Sequence, residues 1–174
     1  MKQKTFCYFV EGQDEKKIID TLKTDLRLIQ PGKVQIVNPV QERVTASRIL
    51  PLKQGTTVIL VFDTDTDSSQ ILQSNIAFIS SRTNIQKVLC VTQVRNLEDE
   101  ILRSCRINHI RDLTNSKSDR EYKADLIHIT NLAERLTKCG FEPELFWAMK
   151  PTDAFSGIKN DAQQIWIRQC SNKR

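Results

Sequence analysis

Three short runs of this chain are apolar almost without a break: residues 5–10 (TFCYFV), 57–62 (TVILVF) and 87–92 (KVLCVT). A strand with one wet face alternates apolar and polar residues, whereas a continuous run of this length belongs to a strand buried on both faces. Val34, Ile36 and Val37 suggest a further strand, stopped at Asn38-Pro39. Between these runs the apolar spacing turns helical. Ile18, Ile19, Leu22, Leu26 and Ile29 form a stripe that predicts a helix from Gln13 to the stop at Pro31-Gly32. A short helix is expected over 40–50, cut off by Pro51. Ser68-Ser69 can cap another, with Ile71, Leu72, Ile76 and Ile79 facing inward. Residues 1–95 therefore read β-α-β-α-β-α-β, an α/β fold with a mostly parallel four-stranded sheet flanked by helices.

The remainder reads as a mainly helical extension, residues 96–174, packed on that core as part of one compact domain. Asn96 is placed to cap a helix over 97–105. Ser118 or Asp119 opens a long helix through Lys138, with Gly140 as its C-cap, and a last helix is expected over 158–169. Phe146, Trp147 and Trp166 read as core or as a packing interface. At 174 residues and 39% apolar, the chain can bury an ordinary core. No stretch reaches the ~18 apolar residues of a membrane span, and Glu11 arrives too early for a secretory h-region. The expectation is a soluble, cytoplasmic protein without membrane attachment. The five cysteines are odd in number and scattered, with no C-x-x-C, and His109 and His128 have no metal-ligand spacing. A disulfide framework and a zinc knuckle are therefore not expected. The net charge of +5 suits nucleic acid and a solvated surface equally.

The chemistry-bearing residues sit where the strands end, and parallel sheets place ligands at the carboxyl ends of their strands. The first strand ends in Glu11-Gly12, with Asp14 and Glu15 a turn further on. The third ends in Asp63, Asp65 and Asp67, and the fourth is followed by Glu98-Asp99-Glu100. If strands one and three are neighbours, their carboxylates converge. Like charges so placed repel unless a cation intervenes, and carboxylate oxygens suit Mg²⁺ or Mn²⁺. In extended backbone, residues two apart point to one side, so Asp63 and Asp65 can face one ion together. An EF-hand does not fit, because Ser68 and Ser74 stand where the loop needs Gly and Glu. P-loop, G-x-S-x-G and G-x-G-x-x-G patterns are absent from the sequence.

Tyr8-Phe9-Val10-Glu11-Gly12 resembles the first motif of Toprim domains, and Val61-Phe62-Asp63-Thr64-Asp65 resembles their second. The resemblance covers residues 5–95, about half the chain. Leu97-Glu98-Asp99-Glu100 and Lys123 are similar to the later acidic motif and lysine of OLD-type and small stand-alone Toprim nucleases. The resemblance implies a Toprim-like sheet and a metal-dependent nuclease that hydrolyses phosphodiester bonds of DNA or RNA, in phage defence or a mobile element. It also implies one or two Mg²⁺ or Mn²⁺ ions. Glu11 and Glu15 would hold one with Glu98 or Glu100, and Asp63 and Asp65 the other, with Asp67 nearby. Lys123 would steady charge on the phosphate. The chain departs from the pattern in having Ser68-Ser69 where Gly follows the second motif. It also carries no ATPase domain and no tyrosine-bearing topoisomerase domain.

Two ions ~4 Å apart would activate water and relieve charge on the leaving oxygen, and with a single ion Glu11 becomes a candidate general base. Each residue also has a plainer role. Glu15 suits the dipole of an exposed first helical turn, and Asp67 can cap the next helix. Glu98 and Glu100 cannot both face one ion, and Glu98 is the choice. Arg82, Arg95, Arg103, Arg106 and Arg111 form either a phosphate-tracking surface or solubilising charge. The competing functions are a non-catalytic Toprim-like module that binds nucleic acid or a partner protein, and a partner subunit whose ATPase lies on a separate chain; a protein partner or a homodimer is an open expectation.

Overall fold

The computed structural model describes residues 4–167. Four strands, β1 (Thr5–Val10), β2 (Lys33–Ile36), β3 (Thr56–Asp63) and β4 (Ile85–Gln93), form one sheet in the order β2-β1-β3-β4. Every neighbouring pair is parallel. Strand connections run outward from β1 to β2 on one side, and to β3 and β4 on the other. The reversal point therefore lies between β1 and β3, where open α/β sheets form their ligand crevice.

The continuous apolar runs are explained by two cores, one on each face. Tyr8, Val10, Ile59, Val61, Leu89 and Val91 point into the first. Cys7, Phe9, Val58, Leu60, Phe62 and Cys90 point into the second. The first face is covered by α1 (Gln13–Asp20), α4 (Leu97–Ser104), α5 (Arg111–Thr114), α6 (Tyr122–His128) and α7 (Leu132–Lys138). The second is covered by α2 (Ala46–Ile49) and α3 (Gln70–Ser80). Phe146 and Trp147 are buried in the first core, with ring centroids 4.4 Å apart. No helix among the described residues is long and apolar enough to cross a membrane.

Four elements differ from the sequence reading. α1 does not reach Pro31. It loosens into a π-type turn over Thr21–Asp25 and ends before Arg27, whose φ is +54°. Residues 28–30 instead lie extended against residues 165–167. Gln30 N–H donates to Ile165 O, Ile167 N–H donates to Leu28 O, and Ile29 pairs with Trp166. The same pairing excludes the helix expected over 158–169, where a 3₁₀ turn at Ala162–Gln164 stands. Residues 168 and 169 lie outside the described residues. The helix expected through Lys138 is two helices. Tyr122 and Leu126 make one buried pair, and Leu132 and Leu136 another. On an unbroken helix Leu132 would sit roughly 240° around from Leu126, away from the core. The extended Ile129 resets the phase. The helix expected over 40–50 shrinks to Ala46–Ile49, because the Asn38 side chain takes the N–H groups of Val40 and Gln41 into a turn. Beyond Lys138 the described chain holds only two 3₁₀ turns, so the helical part of the extension ends there.

Candidate functional site

The β1–β3 pairing brings Glu11 beside Asp63. Glu11 Oε1 accepts the Asp63 backbone N–H at 3.1 Å, a bond between residues 52 apart in the chain. The Glu-Gly pair has a spatial reason. A Cβ on residue 12 would stand 2.8 Å from Asp14 Oδ1 and 3.1 Å from Glu15 Oε2. Glycine leaves room for both carboxyl groups to fold back over the end of β1. Glu15 Oε2 accepts the Gly12 N–H at 2.8 Å in a capping-box arrangement. The plainer reading of Glu15 as an exposed first-turn acid is thereby corrected: it is 5% exposed.

Glu98 and Glu100 separate cleanly. Asn96 caps α4 by accepting the Asp99 N–H, which sets the phase of the first turn. Glu100 then points inward and is fully buried. Its Oε1 accepts the Val94 N–H and pairs with Arg103, and its Oε2 accepts the Trp147 N–H. It ties α4 to the aromatic segment and is spent there. Glu98 faces the acid cluster, where Lys123 on α6 bridges it at 3.0 Å and Asp14 at 3.4 Å. Asp65 lies just beyond the end of β3 and is exposed, as is Asp67. Asp65 weighs on the charges of Glu11 and Asp63, whereas Asp67 is not among the charges weighing most on either.

The electrostatics follow from this crowding. Burial pushes the Glu11 carboxyl up to about 7, with Asp65 and Asp14 adding to it and the Asp63 N–H opposing. Burial, then Glu11, Glu15, Asp65 and Glu98, push Asp63 up to about 9. Burial and the Asp14 charge raise Glu15, while the bond from Glu15 and the Lys123 ammonium overcome burial and hold Asp14 low. For Lys123, burial works against the charge, but Glu98 and Asp14 outweigh it and raise its pKa. The N-termini of α1 and α4 end in the same crevice and favour negative charge there.

The donor set is all carboxylate oxygen, which suits a hard divalent cation. Asp63 Oδ1 is buried and, among the described residues, without a hydrogen-bond partner. In kind, then, these residues fit Mg²⁺ or Mn²⁺. They are not a finished cage: among the described residues no three Asp, Glu, His or Cys side chains form a ready coordination group. Glu15 is engaged with Gly12, and Glu98 with Lys123.

Two neighbours of the site had no signal in the sequence reading. Gln93, in register with Asp63, is 1% exposed. Thr64 clasps the end of β4: its N–H donates to Gln93 O and to Arg95 O, and its Oγ accepts the Arg95 N–H at 3.0 Å. A search of protein-family models, curated proteins and solved structures gives no match to this chain.

Proposed function

We propose that this protein is a metal-dependent nuclease of Toprim-like type. The observation that carries the reading is the meeting of Glu11, Glu15 and Asp63 in one crevice, crowded enough to push the Glu11 carboxyl up to about 7 and the Asp63 carboxyl up to about 9. Carboxyl groups in that state exchange protons for a divalent cation, which would polarise a phosphodiester and supply a metal-bound water. Asp63, Glu11 and Asp65 would hold it, with Glu15 and Glu98 close enough to join. Lys123 would turn from Asp14 and Glu98 toward phosphate charge. Should a single cation rest on Asp63 and Asp65 alone, Glu11, near 7, would instead be placed to accept a proton from the attacking water.

The arginines divide in a way that supports a nucleic-acid substrate. Arg82 covers the Phe78 ring at 4.0 Å, Arg103 is paired with buried Glu100, and Arg106 with Glu142. Arg111 stands 4.0 Å from Asp119. Arg95 is as loosely paired, with Asp99 at 3.8 Å, but its side chain is 80% exposed and its backbone is tied through Thr64 to the Asp63–Asp65 turn. Its φ of +69° also makes Gly an unstrained replacement. Arg95→Gly is therefore expected to keep or raise Tm. In EDTA it should weaken binding of single-stranded nucleic acid and lower the salt slope by about 0.7. Fluorescence anisotropy across a salt series reads both.

One observation favours the non-catalytic alternative: the Lys123 ammonium already sits between two of the carboxylates, as a structural counter-charge would. A cleavage assay separates the two readings. Supercoiled plasmid, linear DNA and structured RNA are incubated with Mg²⁺ or Mn²⁺ beside EDTA. Cation-dependent cutting of any of them supports the nuclease. Binding without cutting under every cation supports the alternative.

A further inference from the structure

Gln93 is the last residue of β4 and the register partner of Asp63. Along β4, Leu89 and Val91 face the first core and Cys90 the second. Along β3, Ile59 and Val61 face the first core and Leu60 the second. By strand alternation Gln93 and Asp63 rise from the same face, on neighbouring strands about 5 Å apart. Among the described residues, neither Gln93 Oε1 nor Gln93 Nε2 has a hydrogen-bond partner, and neither has Asp63 Oδ1. Three unpartnered buried polar atoms thus lie on two side chains set next to each other. Leaving such atoms unbonded costs about 1–3 kcal/mol each, so a buried carboxamide here calls for a partner.

The backbone fixes Gln93 in place. Its carbonyl accepts the Thr64 N–H at 3.1 Å, and Thr64 Oγ also approaches it. Gln93 therefore cannot drift from the Asp63–Thr64–Asp65 turn. Its side chain is neutral and has two donors and one acceptor.

We propose that Gln93 is a positioning residue of the acid site, its Nε2–H group donating to Asp63 Oδ1 and fixing that carboxylate for a divalent cation. This rests on the cation-binding reading above. The bond forms by side-chain rotation and leaves the second Asp63 oxygen free. Because Gln93 acts on Asp63, its effect reaches cation and substrate only through that carboxylate.

The test replaces Gln93 by Leu, with the isosteric Gln93→Met as the second variant should the first fold poorly. A purely structural buried glutamine would leave cation affinity unchanged on replacement. The proposal predicts instead that Tm without cation is kept or raised, since unbonded polar atoms are removed, while Mg²⁺ and Mn²⁺ affinity by calorimetry falls roughly 10- to 100-fold. A spectroscopic signature accompanies this. In ¹⁵N-labelled protein the side-chain amide signals that vanish in the Gln93 variants should shift on Mg²⁺ addition to wild type, and should not shift in Asp63→Asn. Unchanged affinity in both variants, or a Gln93 amide that ignores Mg²⁺ in a wild type that binds it, overturns the proposal and leaves the nuclease reading standing. A wild type that binds neither cation overturns both.

Discussion

Asp63→Asn is expected to abolish cation-dependent cleavage, by about 10²- to 10³-fold or more, and to make the cation-free protein more stable at pH 8. The two effects share one cause. Asp63 is half-buried beside Glu11, Glu15, Asp65 and Glu98, with Oδ1 fully covered, and its carboxyl is pushed up to about 9. At pH 8 the folded protein holds this group protonated, whereas the unfolded chain ionises it at an ordinary 3.8. That difference favours unfolding. Asparagine is nearly the same shape and carries no charge, so the penalty vanishes. Allowing for partial solvent screening, the gain is about 2 kcal/mol, roughly 4–8 °C in Tm. A residue that both destabilises the fold and is required for cutting is one placed for function. Thermal melts in EDTA and the plasmid assay measure the two halves. A destabilised variant that still cuts would contradict the account.

The second expected result is a stability that falls as pH rises when no cation is present. Glu11, at about 7, and Asp63, at about 9, have folded-state values above those of the unfolded chain, and Glu15 moves the same way. Their protonated forms favour the fold fully below pH ~4, and this contribution is lost as pH climbs through about 7 and then 9. Asp14, held low, acts in the opposite sense but only on the acid side. The groups facing the crevice are Glu11 from β1, Asp14 and Glu15 from α1, Asp65 after β3, Glu98 from α4 and Lys123 from α6. Lys123 is the cation among them and stays charged throughout. A slope of about 1 kcal/mol per pH unit after screening gives a Tm drop of roughly 6–12 °C from pH 5 to 8. Millimolar Mg²⁺ should restore most of it at pH 8 and little at pH 5, where protons compete. Melts at four pH values with and without Mg²⁺ read this directly. A flat pH profile would show that the carboxyl groups are not crowded.

The strands were legible because burial on both faces writes a continuous apolar run, and β1, β3 and β4 lie where those runs lie. Their order was not, since periodicity says nothing about neighbours. The convergence of Glu11 and Asp63 hung on the adjacency of β1 and β3, which only the sheet shows. Glu98 and Glu100 are alike in sequence. What divides them is Trp147, whose N–H binds Glu100 from 47 residues away. The burial of Glu15 did have a local signal, the Gly-x-x-Glu spacing of a capping box. The long helix of 118–138 failed on phase, because Leu126 and Leu132 are six apart. Gln93 had no signal at all. A polar residue ending a strand looks ordinary until its register partner is known to be an aspartate with a covered, unpartnered oxygen.

The most direct test of the central claim is a calorimetric titration of the protein with Mg²⁺ and Mn²⁺ at pH 8, in two buffers of different ionisation enthalpy. The account predicts saturable binding that releases protons, because Asp63, pushed up to about 9, must ionise to receive the cation, and loss of that binding in Asp63→Asn. Absence of binding at millimolar cation, or binding with no proton release that survives Asp63→Asn, would contradict it.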